Sequence, residues 1–98
     1  MIAVYFHQKG MTLDKFNESH RRLSVEGATA DAPPGRIHHS CFGDDGSLMV
    51  FQVWDSLDSF QKFGETLMPI LAELGIDPGV PDVMALHRLE QTTASQTN

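Results

Sequence analysis

Apolar residues recur along this chain in two rhythms. In residues 2–8, Ile2, Val4 and Phe6 alternate with Ala3, Tyr5 and His7, and both sets are mostly apolar. A period of two with two usable faces predicts a strand covered on both sides. Lys9-Gly10 breaks it. Thr12 then offers an N-cap, with Asp14 in the first turn. Leu13, Phe16, His20 and Leu23 follow at helical spacing, with Asp14, Lys15, Glu18, Arg21 and Arg22 on the other face. That pattern predicts an amphipathic helix of about four turns, running down near Glu26-Gly27. Residues 28–35 hold Asp31, Pro33, Pro34 and Gly35 and read as a loop.

The period of two returns in Arg36–Phe42. Ile37, His39 and Cys41 share one face, and Arg36, His38, Ser40 and Phe42 the other. Gly43-Asp44-Asp45-Gly46 has the composition of a hairpin turn. Residues 47–54 form the third strand, Met49, Phe51 and Val53 opposite Leu48, Val50, Gln52 and Trp54. Asp55 and Ser56 offer caps for a second helix, whose stripe is Leu57, Phe60, Phe63, Leu67, Leu71 and Leu74. Pro69 removes a ladder bond and crowds the carbonyl one turn back, which predicts a kink or short break near residues 65–69. Gly75 is placed to end the helix. Residues 76–81 form a loop. Residues 82–90 form a fourth strand, Val83, Ala85, His87 and Leu89 opposite Met84, Leu86 and Arg88.

The order is β-α-β-β-α-β over residues 1–90, a single α+β domain of ferredoxin-like topology, with a loose polar tail at 91–98. It predicts one four-stranded antiparallel sheet with two helices on one face. The other face is too apolar for water on every strand. A second copy related by a two-fold axis is the simplest cover, and two sheets stacked in this way make a dimeric α+β barrel.

Composition narrows the partners. The chain has 98 residues, 13 acidic against 7 basic, for a net charge of −6. A small core gains from a partner subunit, and a net acidic surface repels phosphate backbones, so no nucleic acid is expected. Apolar runs are too short to span a membrane, and no basic, apolar leader is visible at Met1. The single cysteine, Cys41, excludes an intrachain disulfide and a multi-cysteine zinc site. A cytoplasmic location is the expectation.

Candidate chemistry rests on five histidines. His39 and His87 each stand among apolar residues of a strand face, where an imidazole is poised for acid/base work or satisfies one core hydrogen bond. His7 and His38 read first as structural. His38 and His39 point to opposite faces, and neither H-x-H nor H-E-x-x-H spacing occurs, so no metal is expected. Cys41 lies two residues from His39, too far for a direct bond, and reads as a small buried residue. Trp54, at a strand end, suits an anchor against the following helix. The aromatic set suits both a core and a pocket for a flat apolar ligand. No dinucleotide, P-loop or Gly-x-Ser-x-Gly pattern is present, so no nucleotide or flavin cofactor is expected.

The stretch Pro33-Pro34-Gly35-Arg36-Ile37-His38-His39, Asp44-Asp45-Gly46, residues 53–60 (Val-Trp-Asp-Ser-Leu-Asp-Ser-Phe), Leu67-Met68-Pro69, Leu74-Gly75 and the late His87 together resemble the antibiotic-biosynthesis monooxygenase-like (ABM-like) family. The resemblance covers roughly residues 1–90. It implies a homodimer with a ligand pocket between the sheet and the two helices of each subunit. It also implies chemistry on small molecules, including oxidation of aromatic polyketides with dioxygen and no metal or flavin. His39 and His87 match the recurrent histidines of one subgroup and are the candidate catalytic residues. The haem-degrading branch departs from this chain: Phe63 stands at its tryptophan position, Ala72 near its ligand histidine, and the first strand has no asparagine.

Three readings follow. The first is a cofactor-independent oxygenase with His39 or His87 as base, the other histidine with Tyr5 or Gln52 orienting the oxyanion. Tyr5, His7, Gln52, Trp54, Phe60 and Phe63 are the candidate substrate-binding residues. The second is an isomerase or cyclase using the same acid/base pair. The third is a non-catalytic ligand-binding dimer.

Overall fold

The computed structural model describes residues 1–7, 10–25, 33–77 and 79–90. The expected end of the first helix at Glu26-Gly27, the start of the following loop, Gln8 of the first strand and the tail 91–98 lie outside the described residues. The elements are β1 (Ile2–His7), α1 (Leu13–Val25), β2 (Arg36–Phe42), β3 (Met49–Trp54), α2 (Leu57–Glu73) and β4 (Asp82–Ala85). The strands form one antiparallel sheet in the order β2-β3-β1-β4. This is the ferredoxin-like arrangement that the element order predicts.

The helix ends are set by local chemistry. The Lys15 N–H donates to Thr12 Oγ1 at 3.2 Å, and the Leu13 N–H to Asp45 Oδ1 at 2.9 Å, so the β2–β3 turn caps α1 from outside. Ser56 caps α2, its Oγ accepting from the Ser59 N–H at 3.2 Å. At the other end Gly75 takes φ +70°, donates to Ala72 O and lets Ile76 donate to Leu71 O at 2.9 Å. Ile76 and Leu71 then pack in one apolar cluster, completing a Schellman ending.

Both helices lie on one sheet face. Phe16 of α1 and Phe60 and Phe63 of α2 pack on Val4, Phe6, Val50 and Trp54. Arg22 of α1 reaches Glu73 of α2 at 2.9 Å. The opposite face carries Ala3, Tyr5 and His7 beside Met49, Phe51 and Val53, with His38, Ser40 and Phe42 on β2 and Met84 on β4. Phe42 is 43 % exposed and Met84 53 %.

The structure corrects four expectations. Strand β4 ends at Ala85 rather than residue 90. Its only partner, β1, starts at Ile2, and beyond Ala85 one more bond forms, Leu86 N–H to Met1 O at 3.0 Å. Strand β3 starts at Met49 rather than residue 47, because the Leu48 N–H turns instead to Met11 O at 3.3 Å. Helix α2 runs unbroken through Pro69. Pro69 is exposed, as is Glu65 one turn back, so the carbonyl that the proline leaves without a donor lies on the solvent side of the helix. Finally, a β-bulge falls between Arg36 and His38: Arg36 pairs with Trp54, His38 with Val53 and His39 with Gln52. The extra residue is Ile37, 43 % exposed. Arg36 therefore joins His39 and Cys41 on the helix face, and Ile37 does not.

Candidate functional site

Among the described residues, two cavities lie under the helices. The first, about 40 Å³, is bounded by β1–β3 and by one face of each helix. Its polar groups are Ser19, His20, Arg36, His39 and Gln52; Phe6, Phe16, Phe63 and Leu67 are among its apolar walls. The second, about 210 Å³, lies between α2 and the segment before β4. Its walls are almost wholly apolar, with Gln61 the only polar side chain among the described residues. Phe6, Phe63, Leu67 and Leu71 line both, so the two chambers share one wall.

His39 is the chemical centre of the smaller chamber. Its position is fixed by the ladder pairing with Gln52 and by stacking with His20, ring centroids 5.7 Å apart and 16° between planes. Phe16 stands 4.6 Å from His20 and meets His39 edge-on at 5.9 Å. Burial, reinforced by the positive field of Arg36 and by His20 and His38, lowers the His39 pKa from 6.5 to about 4. At neutral pH the ring is uncharged and has a lone pair to accept a proton.

Gln52 is the second buried polar group, 4 % exposed. Trp54 Nε1–H donates to its Oε1 at 2.8 Å. That bond fixes the amide orientation and leaves its NH2 to the chamber, with no acceptor among the described residues. A buried donor without a partner is costly, which marks it for a ligand or a water. The Arg36 guanidinium lies 5.8 Å from the centroid of the Phe63 ring. One neutral base, one amide donor and one guanidinium thus converge on one small space. The arrangement suits proton abstraction with stabilisation of the resulting anion.

The candidates from sequence are distributed unevenly. His39, Gln52 and Phe63 line the smaller chamber, and Phe60 lines the larger. Trp54 is fully buried, packed on Phe60 at 5.8 Å and Phe63 at 5.5 Å, and positions Gln52. Tyr5 and His7 face the other side of the sheet, where the Tyr5 hydroxyl donates to Met49 Sδ at 3.0 Å. His87 is exposed, beyond the end of β4, and lines neither chamber. The structure therefore does not bring His39 and His87 together. Cys41 faces the helices, where burial raises its thiol pKa and keeps it protonated. Among the described residues no three His, Cys, Asp or Glu side chains are grouped to share an ion.

Two site residues were not singled out from sequence, His20 and Arg36. His20 carried a signal, a histidine within the apolar stripe of an amphipathic helix. Arg36 carried none, because strict alternation puts it on the far face and only the bulge reverses that.

No family model matches the chain. No curated protein matches it either. Solved structures do. A Deinococcus radiodurans protein described as a candidate antibiotic biosynthesis monooxygenase is 15 % identical, with 97 % of this chain and 99 % of that one covered at a TM-score of 0.53. SnoaB, a cofactor-independent oxygenase from Streptomyces nogalater, is 17 % identical, with 96 % and 95 % covered at a TM-score of 0.54. The fold is thus shared with these two solved structures. No helix among the described residues is long and apolar enough to cross a membrane.

Proposed function

We propose that the protein is a cofactor-independent oxygenase acting on a small aromatic, polyketide-type substrate, with His39 as the base. The observation that carries this reading is the convergence of a neutral, desolvated imidazole with the buried Gln52 amide and Arg36 on one chamber. The likeness of fold to SnoaB supports it.

His39 removes a proton from an acidic ring CH2 of an anthrone-like substrate. The carbanion, delocalised onto the ring oxygen, is held by the Gln52 NH2 and Arg36. It passes one electron to dioxygen, and the resulting radical pair combines into a C–O–O bond. His39 returns its proton to the peroxide anion, and loss of water from the hydroperoxide leaves a carbonyl, so CH2 and O2 become C=O and H2O. The anion formed beside His39 also favours its protonated state, so the lowered pKa of the empty site does not block the transfer.

The test is oxygen uptake with anthrone. One dioxygen is expected per substrate consumed, with a rate unchanged by EDTA. Turnover that persists under nitrogen would replace this reading with the isomerase or cyclase. We also propose that the sheet face bearing Tyr5, Phe51, Phe42 and Met84 is covered by a second copy, making the α+β barrel. Light scattering at micromolar protein should then give twice the chain mass; the mass of a single chain would sink this part.

A further inference from the structure

Gly64 lies in the interior of α2, where glycine is the poorest helix former except proline. Neither usual reason for a glycine applies. Its φ is not positive, and a Cβ added there meets no atom within 4 Å. What the missing side chain leaves is space, because Gly64 lines the larger chamber with Phe60, Phe63 and Met68. At about 210 Å³ that chamber is larger than the roughly 150 Å³ apolar cavity known to admit benzene. The smaller chamber, about 40 Å³, holds only a few waters and cannot enclose an aromatic ring.

We infer that Gly64 is a specificity-determining residue: it keeps open an apolar chamber for the fused rings of an aromatic ligand, whose polar end reaches His39 across the Phe63 wall. Phe6, Phe60 and Phe63 supply ring faces for the fused system, and displacement of Phe63 joins the two chambers. The direction of the polar end rests on the oxygenase reading; the occupancy of the chamber does not.

The probe is 1-naphthol, and Trp54, the chain's single tryptophan, reports its binding because Trp54 packs on Phe60 and Phe63. Saturable quenching is expected in the wild type. Gly64→Ala should bind within threefold of it, since one methyl leaves most of the space. Gly64→Leu and the more adaptable Gly64→Met should bind at least tenfold more weakly while melting no lower than the wild type. Wild-type affinity in both larger variants, or no saturable binding to the wild type, overturns the inference. Binding that responds to Gly64 without any oxygen uptake would remove the oxygenase and leave the chamber. Uptake that depends on His39 with binding indifferent to Gly64 would do the reverse.

Discussion

Replacing His39 by alanine should lower the rate of oxygen uptake with anthrone by about 10²- to 10⁴-fold, the range that one positioned general base contributes. Naphthol affinity should stay within a few-fold, because the chamber that takes its rings is not lined by His39. His39→Gln adds a second readout. The native imidazole has a pKa of about 4, against 6.5 for the unperturbed group. Between those values the unfolded chain holds a proton that the native state has lost, so stability falls as pH drops from 6.5 towards 4. For a mostly buried ring the loss is about 2–3 kcal/mol at most. His39→Gln should flatten this stretch of the stability curve, measured by urea denaturation at several pH values. Glu18, held near pKa 2 by its hydrogen bonds to Arg21 and Arg22, adds its own loss of stability only as pH falls below its ordinary 4.5, so the stretch from 6.5 to 4.5 isolates His39. An unchanged rate in His39→Ala would remove His39 from the mechanism. An unchanged acid limb in His39→Gln would mean that the imidazole is not desolvated.

The fold was legible because each element carries its own pattern. Ile2, Val4 and Phe6 alternate at period two, Leu13, Phe16, His20 and Leu23 recur at helical spacing, and Thr12, Ser56 and Gly75 punctuate the helices. What was not legible depended on partners distant in sequence. The end of β4 is set by where β1 starts, which no feature of residues 86–90 reveals. The site was legible only in part for the same reason. His39 and Gln52 were found from their strand faces. His87 stands out through its match to the resembled subgroup's histidines and its place in a strand expected over residues 82–90, but β4 stops at Ala85 and the exposed segment after it does not hold His87 against the chamber.

The bulge at Ile37 has the largest consequence for the site. With regular alternation, Arg36 would sit on the open face and His39 would have no cation beside it. One inserted residue rotates Arg36 under the helices and stacks it on Phe63. The same move adds the positive field of Arg36 to the burial that lowers the His39 pKa, and in the proposed mechanism it supplies a counter-charge for the anion. A local departure from strand geometry thus does two chemical jobs, consistent with the frequent placement of bulges beside active sites.

Trp54→Ala should be the most destabilising single change among the described residues. The side chain is 0 % exposed and packs on Phe60 and Phe63. Truncating a buried tryptophan costs about 3–5 kcal/mol, which is a large share of the 5–15 kcal/mol that holds a typical domain together. Trp54→Phe separates packing from polarity. It keeps most of the ring but removes the Nε1–H donor, leaving Gln52 Oε1 buried without its partner. That orphan costs about 1–3 kcal/mol. Adding Gln52→Leu to Trp54→Phe removes both partners, so the double variant should regain much of the loss, read by urea denaturation with circular dichroism. It should still fail to consume oxygen, since the amide proposed to stabilise the anion is gone. A double variant with normal turnover would show that Gln52 serves only to satisfy Trp54. A Trp54→Phe variant as stable as the wild type would show that the indole–amide bond contributes nothing to the core.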